Sequence, residues 1–226
     1  MTYFDLKKED SVFILTMING DKDNTFTIDF FNELNACLDT VEKSLGNTSM
    51  VLTSSHPKTW STGINLDWLM TQSADQAKAF VNAFDLTLIR LALLNLPTIA
   101  CITGNVYAGA AIMACTFDFK FMREDRGRFC FPEVNIRIPF TETMHDIIDL
   151  IPNDQILKEL ALTGKAIGGY ECKEKNVVDE ICPQEDLPVK TMEFAKMLAE
   201  KDRPTYTMIK HGLKPKVFAR KDVLKK

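Results

Sequence analysis

Apolar residues recur along the first two thirds of the chain in two alternating patterns. Compact β-rich runs, such as SVFILTMI followed by the turn Asn19-Gly20-Asp21, alternate with longer stretches that have helical spacing. The runs bounded by turn or breaker residues predict buried strands. These predicted strands span residues 11–18, 50–54, 98–103 and 117–122.

Two long segments have the periodicity of amphipathic helices. In residues 27–44, Ile28, Phe31, Leu34, Leu38 and Val41 recur at helical spacing. The second segment opens with Ser73-Ala-Asp-Gln76, which has the form of a capping box, and runs to Leu94 before Pro97 ends it. Alternating strands and helices predict an α/β architecture with a mostly parallel sheet covered by helices.

The last third of the chain has a different pattern. It predicts mainly helices, and only the run VVDEI (177–181) has extended character. The predicted helices lie near residues 142–150, 154–162, 187–200 and 204–212. We therefore expect a helical C-terminal region.

Composition narrows the class of protein. The 226 residues are 46% hydrophobic and 26% charged, which is typical of a globular enzyme or binding domain. A net charge of −4 argues against a nucleic-acid partner, and no apolar run is long enough to cross a bilayer. The six cysteines include no CxxC pair, so we expect reduced thiols without a metal in a soluble, cytoplasmic protein.

The tail from Lys210 to Lys226 carries seven Lys or Arg residues. The simplest interpretation is a solvated helix face or a frayed end. The alternative is a basic contact for the phosphate of a ligand.

The stretch GNVYAGAA (104–111) predicts a strand that leads into a helix with almost no side chains in its first turn. It lacks the Ser, Thr, Asp or Asn that usually caps a helix, so its first N–H groups need another partner. Free N–H groups at such a point suit an anion or a polarised oxygen. Tight packing of the helix on the sheet is the alternative explanation.

Two further stretches have features of the same kind. WSTGINL (60–66) predicts another strand–turn–helix corner, with Gly63 just before the helix start. FPEV (131–134) places Glu133 in an apolar setting, where desolvation would raise its pKa and make it a better base near neutral pH. An exposed loop carboxylate is the alternative for Glu133.

In this order, the stretches SSHPKTWSTGINL (54–66), GNVYAGAAIMACTFDF (104–119) and FPEVNIRIP (131–139) resemble the crotonase superfamily, the enoyl-CoA hydratase/isomerase family. The resemblance covers about residues 10–200. It implies a crotonase-like spiral of ββα units in residues 1–140, which carries the site, and a helical region in 141–226. It also implies acyl-CoA thioester substrates, with coenzyme A as part of the substrate and no permanently bound cofactor, and assembly into homotrimers or hexamers.

The resemblance also implies roles for individual residues. The backbone N–H groups of Ile64 and Gly109 match the family's oxyanion hole, which holds the thioester oxygen. Of the two positions where the family carries a catalytic carboxylate, one is Ile112 here and the other is Glu133. One base without a partner is the pattern of Δ3,Δ2-enoyl-CoA isomerases, in which a single glutamate moves a proton from C2 to C4.

Other readings stay open at this point. One is a different reaction on the same scaffold (hydration, thioester hydrolysis or decarboxylation), and another is a non-catalytic acyl-CoA binder. Ala108 and Ala110 stand where the family often has glycines, which keeps the second of these open.

Additional substrate-binding positions follow from the resemblance. Lys22 and Asp23 lie in the loop that resembles the one embracing the adenine of coenzyme A, and Gly63 stands just before Ile64 in the WSTGINL corner. The residues expected to line the acyl pocket, unless they belong to the core, are Trp68, Leu69, Met113 and Phe140.

Overall fold

The computed structural model describes residues 2–225; Met1 and Lys226, the outer ends of the two predicted regions, lie outside the described residues. A large sheet has the strand order β1-β2-β3-β5-β7-β10, and a small sheet has the order β4-β6-β8-β9. The strands are β1 Phe4–Glu9, β2 Val12–Met17, β3 Ser49–Ser54, β4 Thr59–Ser61, β5 Thr98–Ile102, β6 Asn105–Tyr107, β7 Phe119–Arg123, β8 Arg128–Cys130, β9 Ala166–Gly168 and β10 Glu180–Cys182.

Helices connect the strands and cover the large sheet. Short 3₁₀ turns occupy Gly20–Lys22 and Lys221–Lys225. The α-helices are α1 Ile28–Glu42, α2 Leu66–Leu69, α3 Ala74–Ala92, α4 Gly109–Cys115, α5 Glu133–Ile136, α6 Glu142–Ile148, α7 Asp154–Thr163, α8 Gly169–Glu174, α9 Leu187–Ala199, α10 Arg203–Leu213 and α11 Pro215–Ala219.

The chain repeats one unit three times. A strand of the large sheet is followed by a strand of the small sheet and then by helix, as in β3-β4-α2-α3, β5-β6-α4 and β7-β8-α5. The strands of successive units pair in parallel in both sheets. Each unit therefore places a strand-to-helix corner beside the corner of the next unit, and this is how distant motifs meet.

The main helices begin and end close to the predicted residues. Ser73 caps α3, its side chain accepts from the Gln76 N–H, and the Gln76 side chain accepts from the Ser73 N–H, as the sequence motif predicts. The helices predicted near 142–150, 154–162, 187–200 and 204–212 are α6, α7, α9 and α10. Aromatic side chains of α1 and α3, including Phe31, Phe80 and Phe84, form the centre of the core.

Several short strands differ from the sequence expectation. The charged strand β1 pairs antiparallel with β2. Two strands after residue 140 also belong to the sheets: β9 pairs with β8 in the small sheet, and β10 pairs with β7 in the large sheet. The extended segment predicted at 177–181 is shifted: the Val177 N–H closes a turn onto Cys172, and the strand begins at Glu180. Pairing with strands that are distant in sequence stabilises these short segments, so their own residues carry little signal.

The expectation of a solvated basic tail is wrong for Lys210 and Lys214, which are buried. Their ammonium groups contact the two carboxylate oxygens of Asp118 at 2.8 and 2.7 Å. The Tyr206 hydroxyl also donates to Asp118, at 3.2 Å. We call Asp118, Tyr206, Lys210 and Lys214 the lysine cluster. The alternative, a phosphate contact, does not fit these two lysines because their ammonium groups face the protein interior.

Candidate active site

The first corner lies between β4 and α2. Gly63 adopts a φ of +80°, and a Cβ placed on it would lie 2.7 Å from the Gly109 nitrogen. Only glycine fits there, because both the backbone conformation and the contact exclude a side chain. The Phe26 N–H donates to the Gly63 carbonyl at 2.8 Å, and the Asn65 N–H donates to the Phe26 carbonyl. The Ile64 N–H between them has no acceptor within residues 2–225.

The second corner lies between β6 and α4. Ala108 adopts φ 51° and ψ −131°, a conformation that suits glycine, and no side chain within residues 2–225 caps the helix. The Ala108 N–H donates to the Cys130 carbonyl at 3.0 Å, whereas the Gly109 N–H has no acceptor in the described chain. The close approach at Gly63 brings this amide beside the first corner. Two motifs 45 positions apart in sequence thus present free N–H groups to one place.

A buried polar network supports the first corner. The Ser61 hydroxyl donates to the Asn24 carbonyl at 2.8 Å and accepts from the Gly63 N–H at 3.1 Å. The Thr62 N–H donates to the Asp23 carbonyl at 3.2 Å. These bonds tie the loop that contains Lys22 to the corner that presents the Ile64 amide.

An apolar cavity of about 200 Å³ lies between the two corners and α5. Its polar side chains are those of Thr62, Tyr107 and Glu133, and its other side chains are apolar or absent. The full lining comprises Thr62, Ile64, Leu66, Phe84, Tyr107, Ala108, Gly109, Ile112, Pro132, Glu133, Ile136, Ile138, Pro139 and Met144.

Glu133 is the first residue of α5 and is only 6% exposed. Its Oε2 atom is buried and has no hydrogen-bond partner among the described residues. Burial penalises the charged carboxylate and raises the pKa of Glu133 to about 7. The group is therefore poised to accept and return a proton near neutral pH.

Ile112 lines the cavity and presents a hydrocarbon side chain to it. Met113, expected to line the acyl pocket unless it belongs to the core, does not line this cavity. Successive residues of a helix are about 100° apart, so Met113 points away from the cavity and is fully buried in the core.

Leu69 and Phe140 also lie outside the cavity lining. Leu69 is partly buried against the core. The Phe140 ring packs on Phe131 and His145, with centroid distances of 6.0 and 5.4 Å. Each belongs to the packing around the site rather than to its wall.

A polar groove of about 740 Å³ adjoins the cavity. Lys22, Asp23 and Trp68 line it together, and it shares Ile64 and Leu66 with the cavity. The structure thus brings together the loop residues and Trp68 in the groove rather than in the apolar cavity.

Several lining residues were not foreseen as site residues, notably Thr62, Phe84, Tyr107, Ile136 and Met144. Thr62 and Tyr107 lie inside the motifs, each two residues before a free amide, and this proximity is the only signal in the sequence that could have identified them. Phe84 and Met144 come from helices whose patterns are those of ordinary core helices, and only the packing of α3 and α6 brings them to the cavity.

Comparison with known proteins points to one family. The sequence model of the family "Enoyl-CoA hydratase/isomerase" matches residues 7–223. Enoyl-CoA delta isomerase 2, peroxisomal, of Arabidopsis thaliana is 28% identical over 222 residues, covering 94% of this chain and 92% of the relative. Enoyl-CoA delta isomerase 3 of the same plant is 27% identical over 220 residues, with the same coverage.

Solved structures share the fold. A probable enoyl-CoA hydratase from Mycobacterium tuberculosis H37Rv has a TM-score of 0.88 at 18% identity, covering 96% of this chain and 90% of that one. The enoyl-CoA hydratase from Bacillus anthracis has a TM-score of 0.83 at 21% identity, covering 92% and 81%. The expected crotonase-like fold is confirmed.

Within residues 2–225, the structure contains no helix that is both long enough and apolar enough to traverse a bilayer. The family match spans both corners, α5 and nearly all of the helical region. On this match and the shared fold, the chain belongs to the enoyl-CoA hydratase/isomerase family.

Proposed function

We propose that the protein is a Δ3,Δ2-enoyl-CoA isomerase that converts 3-enoyl-CoA into 2-enoyl-CoA. The observation that carries this proposal is the meeting, around a single apolar cavity, of two backbone amides that have no acceptor within residues 2–225 and a buried carboxylate whose Oε2 has no partner there. The names of the plant relatives support the same reaction.

In the proposed reaction, the Ile64 and Gly109 N–H groups donate to the thioester carbonyl oxygen. The Glu133 carboxylate removes a proton from C2, and the electron pair left behind delocalises through the carbonyl and the C3–C4 double bond. Negative charge develops on the oxygen, where donors placed in advance stabilise it. The protonated Glu133 then donates the same proton to C4, which leaves the double bond between C2 and C3.

Ile112 favours isomerisation over hydration. Hydration needs a group that activates water as well as one that handles the substrate proton, and Glu133 is the only carboxylic acid in the cavity lining. A proton shuttle within one substrate needs no water, and an apolar wall near the base keeps water away.

The groove is the proposed site of the coenzyme A portion. Lys22 and Asp23 line it beside Ile64, so a thioester held at the corners extends its carrier across this loop. We also propose the oligomer of the family, a homotrimer or hexamer, to which the region after residue 140 contributes. The proposed compartment is the cytoplasm; peroxisomes and mitochondria, named for some relatives, are the alternatives.

The test is to incubate the protein with 3-hexenoyl-CoA and follow the conjugated 2-enoyl thioester in the ultraviolet. Glu133→Gln removes the base while preserving shape, so we expect the rate to fall by ~10²–10⁴-fold or more with little change in acyl-CoA binding. Glu193→Gln, at an exposed carboxylate on α9, is the matched control.

The other outcomes discriminate between the alternatives. Normal turnover in Glu133→Gln would exclude Glu133 as the base. Water uptake by a 2-enoyl-CoA would identify a hydratase. Binding of coenzyme A esters without any turnover would identify a non-catalytic binder or another acyl substrate.

A further inference from the structure

The cavity is open at one side and closed at the other. Leu66 and Ile136 are 40% and 41% exposed and form its mouth, whereas Phe84, Ile112 and Met144 are buried and form what we call the end wall. An acyl chain whose carbonyl lies at the Ile64 and Gly109 amides therefore extends toward a closed surface.

Phe84 holds a fixed position in the end wall. Its ring stacks on Phe31 with a centroid distance of 5.2 Å and an interplanar angle of 12°, and it meets Phe26 edge-on at 5.7 Å. The same ring lies close enough to Gly109 that a Cβ there would be 3.2 Å from two of its carbons. Core aromatics packed in this way resist displacement, because any shift disturbs several neighbours.

Met144 is also held in place. The Thr141 N–H donates to its sulfur at 3.5 Å, and its own N–H donates to the Thr141 hydroxyl at 3.1 Å. That hydroxyl donates in turn to Asp85 of α3, at 2.8 Å. The three residues of the end wall therefore lie on three helices, α3, α4 and α6, and a hydrogen bond joins the start of α6 directly to α3.

The volume sets the length of chain that fits. An apolar cavity of ~150 Å³ accommodates benzene, with its six carbons. By the same scale, the cavity of about 200 Å³ accommodates roughly eight carbons, including those of the reacting end.

Building on the proposed function, we propose that this enzyme prefers short, unbranched enoyl thioesters of about six to eight carbons, with Phe84, Ile112 and Met144 as the end wall that sets this limit. Longer chains must force the wall apart or bend back through the mouth. Either route weakens the fit of the part of the chain that positions C2 against Glu133.

The experiment measures kcat/KM for 3-hexenoyl-, 3-octenoyl-, 3-dodecenoyl- and 3-hexadecenoyl-CoA. We expect similar values for the first two and a value at least ~10-fold lower for dodecenoyl, since overpacking is costly. Met144→Ala enlarges the cavity and keeps the N–H that donates to the Thr141 cap of α6. We expect it to raise the ratio of kcat/KM for dodecenoyl-CoA to that for hexenoyl-CoA by about 5-fold or more.

Met122→Ala is the matched control, since Met122 is fully buried in β7 and does not line the cavity. It should leave the ratio unchanged, and a urea melt confirms that both variants are folded. Equal kcat/KM values from hexenoyl to hexadecenoyl, or a ratio that Met144→Ala does not change, would overturn the inference.

Calorimetric binding of saturated hexanoyl- and dodecanoyl-CoA separates this inference from the proposed function. If no enoyl thioester is turned over but hexanoyl-CoA binds more tightly than dodecanoyl-CoA, the end wall is supported and the isomerase proposal fails. Equal binding of the two esters, or no binding of either, would refute the end wall.

Discussion

Two regions of this protein bury ionisable side chains, and they differ in whether those side chains have hydrogen-bond partners. In the lysine cluster, the Lys210 ammonium contacts Asp118 and donates to the Leu94 and Leu96 carbonyls at 3.0 and 2.9 Å. The Lys214 ammonium likewise has three acceptors, one of which is Asp118. Every proton of both ammonium groups has a partner.

The cavity shows the reverse. Of the buried side-chain polar atoms that lack a partner within the described residues, Glu133 Oε2 lines the cavity and is the only one that belongs to an ionisable group. The Ile64 and Gly109 amides, which line the same cavity, likewise have no acceptor in the part of the chain that the structure describes. A buried polar group without a partner costs free energy, so a folded protein retains one where a ligand satisfies it or where chemistry needs it.

The comparison teaches that burial of charge alone does not locate a site. The lysine cluster contains more buried charge than the cavity, and its pKa values are shifted too: burial lowers that of Lys210 to about 8. Burial raises the pKa of Asp118, but the charges of Lys210 and Lys214 outweigh it and hold the pKa below its usual value. The lysine cluster and the candidate site differ in whether their buried ionisable groups have hydrogen-bond partners, rather than in the size of the pKa shift.

The largest expected effect is that of Asp118→Asn. This change preserves shape but leaves two buried ammonium groups without a counter-charge, and we expect a loss of about 3–5 kcal/mol in the free energy of unfolding. Urea denaturation measures it. Asp186→Asn, in an exposed ion pair of 4.0 Å with Lys190, should cost under ~0.5 kcal/mol. An equal effect of the two changes would mean that the lysine cluster is not structural.

Glu133→Gln should have the next largest effect on stability, and in the opposite direction. The folded pKa of about 7 lies above the unfolded value near 4.5, so the wild type loses stability as pH rises through this window, by on the order of 3 kcal/mol. Glutamine has no such penalty. The variant should therefore gain stability relative to wild type between pH 4.5 and pH 8, as denaturation at several pH values will show. A difference that is constant with pH would refute the raised pKa.

The smallest expected effect concerns the strained corner. Ala108 has a positive φ, and glycine there should increase the free energy of unfolding by about 1 kcal/mol because relief of strain exceeds the entropic cost of glycine. Ala110→Gly, inside α4, should decrease it by about 1 kcal/mol. Thermal melts of the two variants compare them directly. Shifts of the same sign would show that the corner stores no strain.

Much of the fold could be predicted because its signals are local. The capping box at Ser73, the helix that Thr27 caps and the buried strand at Thr98 depend on residues a few positions apart. Strands of three residues in the small sheet, such as β9, had no such signal, because their pairing partners supply the stability. The burial of Lys210 was missed for the same reason, since its partners lie about a hundred residues away.

The sequence by itself determined the family resemblance, the order of helices and long strands, and the residue types at the two corners and at position 133. These follow from local spacing and from the chemistry of individual side chains. Only the tertiary structure decided that Gly63 contacts Gly109, that Ile112 rather than Met113 faces the cavity, and that Phe84 and Met144 close it. The physical reason is that a cavity is what remains when distant elements pack together, and its size, openness and unsatisfied atoms do not belong to any one segment of the chain.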